Sequence, residues 1–336
     1  MMKAAVYKGI GHMEIEEIDT PHIGDSEALV KVEMVGICGT DVKTFVRGHP
    51  MFQPPCILGH EFVGKIIKVG ENIRNDFGDA TYVIAPYIGC GECELCREGT
   101  SQLCRNKYGT GGAFAEYVKV PAEILERAAF CVPDGIPKEV MVLAEPLACA
   151  IHGIEKARAT PNKKVLVVGS GPMGLLIGIT LKNLGSIPVI AEIDEIRLNI
   201  AQNCGLETID FGKEGFENFM KEKPMYNSII LANDKVDLVS KLIPFVIPGG
   251  TFELFGGMPK DARLEIDPYY IHYEEVSIVG SFGFTEEEFK QAYDLLCDDP
   301  DTYGKLISKI YEMDDIHEAF KAAMDKSNIK IIVNIN

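Results

Sequence analysis

Two hydrophobic textures divide the chain. In its first part, short apolar runs over 28–34, 62–69, 80–85 and 114–120 stand between Gly and Pro, and each predicts a strand. Together they predict a β-rich, barrel-like domain. From about residue 162 the order becomes strand, glycine turn, helix. Strands are predicted over 164–168, 188–192, 228–231, 251–255 and 276–279, with helices over 173–183, 195–203 and 236–244. Strands alternating with helices form a parallel sheet wound on both faces. A last stretch predicts helices over 286–296 and 316–325 and a strand over 330–333, packing back on the first domain. The expected division is a discontinuous domain, 1–148 with 283–336, around a second domain, 149–282. A chain of 336 residues suits two domains better than one core.

The glycine turn carries chemistry. Val165-Leu166-Val167-Val168-Gly169-Ser170-Gly171-Pro172-Met173-Gly174 sets G-x-G-x-x-G between an apolar strand and an apolar helix, as a dinucleotide loop requires. Gly169 suits the tight turn, Gly171 a close approach of backbone to pyrophosphate, and Gly174 close packing of helix on strand. Pro172 and Met173 open the helix whose N-terminus faces the phosphates. Glu192, eighteen residues past Gly174 at a strand end, is the carboxylate that would accept both hydroxyls of an adenosine ribose. Asp194 is the second candidate, and a solvated strand end is the plain alternative. A carboxylate there repels a 2′-phosphate, which favours NAD over NADP. Arg197 is the nearby guanidinium able to accommodate that phosphate.

Charge and cysteine usage narrow the field. Fifty acidic against thirty-three basic side chains give a net charge of −17, which repels a phosphate backbone and argues against nucleic acid. The first residues lack the apolar core of a signal peptide, and no run reaches the roughly 18 apolar residues of a spanning helix. The expectation is a cytoplasmic chain with no membrane partner. Ten cysteines in such a chain point away from a disulfide framework. Four of them, Cys90, Cys93, Cys96 and Cys104, form C-x2-C-x2-C-x7-C in a lobe over 86–105. Four thiolates suit a closed, structural, tetrahedral zinc. An iron–sulfur cluster is the competing reading, but no Pro follows Cys104 and no further cysteine group is near.

A second constellation is spread along the chain: Cys38 in Gly36-Ile37-Cys38-Gly39-Thr40-Asp41, then Gly59-His60-Glu61, then Ala144-Glu145-Pro146-Leu147. Spacing alone does not connect these residues. Singly, each has a dull explanation: a core cysteine, a satisfied histidine, a charge at a helix start.

Taken in order, G-x-C-G-T-D, G-H-E, the four-cysteine loop, Gly112-Ala113-Phe114-Ala115-Glu116-Tyr117, E-P-L and G-x-G-x-x-G resemble the zinc-containing medium-chain dehydrogenases over nearly the whole chain. The resemblance implies an α/β protein with a GroES-like β-barrel catalytic domain, a Rossmann doubly wound parallel sheet and a zinc in the cleft between them. It implies Cys38, His60 and Glu145 as catalytic zinc ligands, with Glu61 an adjacent carboxylate able to bind the metal or its water. It further implies Thr40 as a proton-relay hydroxyl and Asp41 as the group that orients His60. Glutamate at 145, where alcohol dehydrogenases proper usually have cysteine, resembles the sorbitol dehydrogenase branch. Cys149 is the alternative ligand. Two departures stand out: Lys43 replaces a relay histidine of many relatives, and Gly280-Ser281-Phe282-Gly283-Phe284-Thr285 lacks the arginine of sorbitol dehydrogenases.

The function so implied is oxidation of a secondary alcohol, polyol or sugar alcohol. Zinc activates the alcohol and NAD accepts its hydride, in a homodimer or homotetramer carrying two zincs per chain. L-threonine 3-dehydrogenase and sugar-phosphate dehydrogenases share these motifs. Outside dehydrogenase chemistry, the rivals are a catalytically inert cofactor-binding regulator, which predicts loss of the Cys38, His60 and Glu145 set, and an iron–sulfur electron carrier, which predicts a brown protein.

Overall fold

The strand Glu27–Gly36 organises the first unit. It is buried over most of its length, although Lys31 is exposed and the buried Glu33 is satisfied by Thr81 and Lys138. In the computed structural model, which describes residues 1–335, it pairs antiparallel with Glu61–Val69, with Tyr117–Pro121 at its start and with Lys330–Asn334 at its end. The sheet runs Ala129–Cys131, Thr81–Ile84, Glu61–Val69, Glu27–Gly36, Lys330–Asn334, Ile307–Glu312. Gly36 stands opposite both Glu61 and Ile332, so three segments far apart in sequence meet at one register position. A smaller sheet joins His12–Ile18, Met2–Gly9 and Cys56–Ile57.

The sequence reading and the structure part company at two places here. The strand expected over 114–120 begins at Tyr117. Phe114 and Ala115 are apolar for another reason: they are buried where the chain crosses Met2–Gly9, with the Ala5 N–H donating to the Phe114 carbonyl at 2.8 Å. The hairpin Met2–Gly9 and His12–Ile18 was not anticipated, although Met13 and Ile15 alternate with Glu14 and Glu16 as a half-buried strand requires.

The chain divides into two compact units: residues 1–148 with the stretch from Phe284 on, and residues 149–283. The second unit holds a six-stranded parallel sheet in the order Glu207–Asp210, Ile187–Glu192, Lys164–Val168, Tyr226–Leu231, Val246–Leu254, Ser277–Gly280. The central residues Val165, Leu166 and Val167 are wholly buried. The strand order reverses beside Lys164–Val168, the strand that runs into the glycine loop. In open α/β sheets, ligands bind at the carboxyl ends of strands flanking such a reversal. Among the described residues no helix is long and apolar enough to cross a membrane.

A buried carboxyl group lies inside this apolar sheet. Glu253, on the strand Val246–Leu254, is fully buried; its Oε1 accepts the Ser281 hydroxyl at 2.6 Å, while Oε2 has no partner. Burial pushes its carboxyl up to about 8, with the Ser281 bond opposing. The folded state therefore keeps a proton that an unfolded carboxyl, with a pKa of about 4.3, has lost. Stability from this group is complete below the unfolded value, falls as pH rises toward about 8, and is level above that. Glu253→Gln, which keeps the neutral shape, should match the parent near pH 4 and exceed it by a few kcal/mol near pH 8. Urea midpoints measured across that range test this; equal pH slopes for the two proteins would refute it.

Candidate active site and metal centres

Cys38 is the N-cap of the helix Gly39–Arg47, and its backbone N–H donates to Asp41 Oδ2 at 3.0 Å. Asp41 is fully buried. Its Oδ1 accepts the Gly59 N–H at 3.2 Å and lies 3.6 Å from His60 Nδ1. One carboxylate thus ties the Cys38 turn to the Gly59-His60-Glu61 turn. The ligand atoms of Cys38, His60 and Glu61 lie within 4.8 Å of one another. A thiolate, an imidazole and a carboxylate this close make a donor set of the kind zinc takes, so the residues present fit that ion. Burial disfavours a cationic His60, but Asp41 and Cys38 outweigh it and hold the imidazole well above its ordinary pKa. The negative potential that draws a proton to this position draws a metal cation for the same reason.

Glu145 lies in the first turn of the helix Ala144–Lys156 and is buried, but it is not part of the group that converges within 4.8 Å. Its charge nevertheless reaches the same neighbourhood, since it helps raise the pKa of Lys330. Cys149, further along that helix, also falls outside the group. Thr40 is half-buried in the first turn of Gly39–Arg47, and its carbonyl accepts the Thr44 hydroxyl at 2.8 Å. Lys43 on the same helix is exposed.

Lys330 is the residue that sequence reasoning missed. Its Nζ lies 2.9 and 2.7 Å from the two oxygens of Glu61 and 3.4 Å from the Ile37 carbonyl. Both side chains are inside the protein, with 4% and 0% exposure. Burial works against the ammonium, but Glu61 and Cys38 overcome it and hold Lys330 above its ordinary pKa. The pair also explains Gly36: a Cβ there would sit 2.2 Å from Glu61 Oε2 and 2.9 Å from Val142. A lysine opening an apolar strand was the only signal, and it named no partner.

The four cysteines form a cage. Cys93 Sγ lies 3.5 Å from Cys96 Sγ and 3.7 Å from Cys104 Sγ, and Cys90 Sγ lies 3.9 Å from Cys96 Sγ. Four sulfurs each about 2.3 Å from a central zinc would stand about 3.8 Å apart, so the cage has the size of a tetrahedral site. The Cys90 and Asn106 N–H groups point at Cys104 Sγ from 3.5 and 3.3 Å. Hydrogen bonds from the Glu92 and Cys93 backbone bring the Cys90 thiol down to about 6, while burial pushes that of Cys96 up to about 12. Adjacent thiolates resist ionising together, and a cation removes that conflict. Among the described residues no cysteine is in a disulfide.

In the second unit, Gly169 takes φ +106° at the end of the strand Lys164–Val168, and a Cβ on Gly174 would lie 1.9 Å from the Gly169 carbonyl oxygen. Turn and close packing both demand glycine there. Pro172 and Met173 begin the helix Pro172–Asn183. A Cβ on Gly171 would lie 3.6 Å from Arg197 Nη1, so the guanidinium borders the loop. Glu192 is held at the loop: Oε2 accepts the Ser170 N–H at 2.9 Å and its hydroxyl at 3.2 Å, and Oε1 accepts the Ile193 and Asp194 N–H groups at 2.7 and 3.2 Å. Asp194 instead caps the helix Glu195–Asn203, accepting from the Ile196 and Arg197 N–H groups. Ser170, which fixes Glu192 to the loop, was also missed.

Comparison with known proteins bears on the family and the fold. Residues 24–131 match the alcohol dehydrogenase GroES-like domain, and residues 138–335 match the glucose dehydrogenase C-terminus family. The chain is 30% identical to a D-altritol 5-dehydrogenase of Agrobacterium fabrum over 340 residues, covering 98% of each chain. A zinc-binding dehydrogenase of Sinorhizobium meliloti, solved with NADP, superposes with a TM-score of 0.89 at 27% identity over 100% of this chain and 99% of that one. An alcohol dehydrogenase of Escherichia coli, solved with NADH, gives 0.90 at 26% identity over 99% of both. Fold, loop and matched families lead to one conclusion: the chain belongs to the zinc-containing medium-chain dehydrogenase family, in its polyol dehydrogenase-like branch, and is an oxidoreductase acting on CH–OH groups.

Proposed function

We propose that this chain oxidises a secondary alcohol bearing a neighbouring hydroxyl, as found in polyols and sugar alcohols, with NAD as acceptor and two zincs per chain. The observation that carries the reading is the convergence of Cys38, His60 and Glu61, with Asp41 behind the first two and Lys330 behind the third. Zinc bound there would act as a Lewis acid on the substrate oxygen, and the nicotinamide would take the hydride. The chain's own residues do the rest. Asp41 fixes the Cys38 turn and sits beside His60 Nδ1, leaving Nε2 as the nitrogen for a cation. Thr40, which matches the relay hydroxyl of similar dehydrogenases, would pass the alcohol's proton on: its oxygen would accept that proton while its own hydrogen leaves toward the cofactor ribose and solvent. Glu145, on the neighbouring helix, adds negative charge and is a further candidate ligand. We assign the zinc chemistry to residues 1–148 with 283–336, the second zinc to Cys90, Cys93, Cys96 and Cys104, and the cofactor to 149–282 through Gly169, Gly171, Pro172, Met173, Gly174, Glu192 and Arg197. Free cysteines among the described residues suit a reducing cytoplasm, and the family resemblance read from the sequence implies a homodimer or homotetramer.

The preference for NAD rests on Glu192, whose carboxylate is pinned at the loop by four donors and would meet a 2′-phosphate with like charge. The penalty of a few kcal/mol corresponds to about a hundredfold or more in favour of NAD. Steady-state kinetics on polyols, vicinal diols, ethanol, L-threonine and sugar phosphates, each with NAD and NADP, tests both parts. A vicinal secondary alcohol with NAD should give the highest kcat/KM, and Glu192→Ala should shrink the NAD preference. Ethanol as best substrate would overturn the substrate class. A parent that uses NADP equally, or an unchanged ratio in Glu192→Ala, would overturn the cofactor assignment.

A further inference from the structure

The four-cysteine loop is grasped from outside by a carboxylate far along the chain. Glu286 opens the helix Glu286–Asp298; its Oε1 accepts the Gly89 N–H at 3.2 Å and pairs with Arg127 Nη2, and its Oε2 accepts the Ser101 hydroxyl at 2.6 Å. Arg127 Nη1 completes the ring by donating to the Gly89 carbonyl at 2.9 Å. Gly89 precedes Cys90 and packs directly on the cage: a Cβ there would lie 2.8 Å from Cys96 Sγ. The guanidinium also borders Gly91, where a Cβ would lie 3.5 Å from Nη1. Two residues before Glu286, Phe284 donates its N–H to the Tyr87 hydroxyl at 3.3 Å, and the two rings meet tilted by 31° with centroids 4.7 Å apart.

An ordinary surface ion pair contributes little, and Arg127 and Glu286 retain 35% and 17% side-chain exposure. What separates this pair from that case is its targets. Glu286 and Arg127 together hold both polar groups of the Gly89 backbone on the near side of Cys90, and Glu286 holds Ser101 on the near side of Cys104. These two points fix where the first and last sulfurs stand. Four thiolates around a divalent ion carry a net charge of −2, and Arg127 supplies a cation at the rim of that charge. Groups that orient ligands in this way govern metal affinity, commonly by tenfold to a hundredfold.

We infer that the Arg127–Glu286 clamp holds the four-cysteine cage in ligating geometry, so that metal retention in the loop and order in the segment Phe284–Glu288 depend on each other. This rests on the reading of the loop as a zinc site. Such coupling is reciprocal: what the segment gives to metal binding, the metal returns to the segment.

The test uses the zinc-loaded protein as purified and follows metal release into a colorimetric chelator, with Cys96→Ser marking which release phase belongs to the loop. Glu286→Ala should release the loop zinc about tenfold faster or more, with the other zinc leaving at the parent rate. Ser101→Ala removes a single bond and should fold even where Glu286→Ala does not; its loop zinc should leave several-fold faster. In the parent, stripping the loop zinc should speed amide exchange over 284–288. Unchanged loop release in the folded variants, equal acceleration of both zincs, or unaltered exchange over 284–288 would overturn the clamp. A parent with the same zinc content as Cys96→Ser would instead remove the zinc reading of the cage, and the clamp with it.

Discussion

Lys330→Met should destabilise the protein by about 3–5 kcal/mol, because it strands the Glu61 carboxylate, buried at 0% exposure, without its counter-charge. Attraction between such charges offsets their desolvation only while both are present; removing one leaves the cost and takes away the compensation. Pairing Lys330→Met with Glu61→Gln should recover most of that loss, since a neutral amide is far cheaper to bury than a bare carboxylate. Activity should not return with stability, because the carboxylate beside Cys38 and His60 is gone in the double variant. Urea unfolding of the parent and the variants, with kcat/KM on the same samples, separates the two effects. A single variant within about 1 kcal/mol of the parent would mean the ion pair contributes no more than an exposed one.

The largest catalytic effect is expected at Cys38 and His60. Cys38→Ser or His60→Ala should lower kcat/KM about a thousandfold, roughly 4 kcal/mol of transition-state stabilisation, while the four-cysteine loop keeps its metal. Elemental analysis should then read close to one zinc per chain against two in the parent. A chelator should likewise abolish parent activity before it unfolds the protein, since a three-ligand site is open and a four-thiolate cage is closed. Near-parent activity in a Cys38→Ser protein that has lost that zinc would end the assignment.

Much of this was legible in the sequence, and the reasons differ by element. The strand Lys164–Val168 and the helix Glu195–Asn203 could be read to the residue, because a buried parallel strand and a capped helix are local patterns. The four cysteines were equally plain, since a short loop forces neighbouring sulfurs together. Cys38, His60 and Glu61 were connected only by resemblance, and it is the pairing of Glu27–Gly36 with Glu61–Val69 that brings their turns together. Glu145 was grouped with them on the same ground, and the side chains that meet within 4.8 Å do not include it. Lys330 and Glu286 escaped altogether. Each acts across more than 150 residues of sequence, at 269 and 185 positions from Glu61 and Ser101, where no periodicity reaches. The strand Ile307–Glu312 was missed for a local reason, being polar and largely exposed, whereas the helix Lys213–Glu222 was missed although Phe216 and Phe219, three residues apart, give it an apolar stripe packed on the core.

The distance between Glu61 and Lys330 has a consequence in time. At about 5–20 residues per second, a ribosome needs roughly 13 to 54 s to add the 269 residues that separate them. Throughout that interval the strand carrying Glu61 has no lysine to meet it and no Lys330–Asn334 to cover the Gly36 end of its neighbour. The strands of the parallel sheet, all within 164–280, emerge complete in the meantime. The nascent chain should therefore acquire its dinucleotide-loop unit first and carry an open, acid-bearing sheet behind it until the lysine arrives.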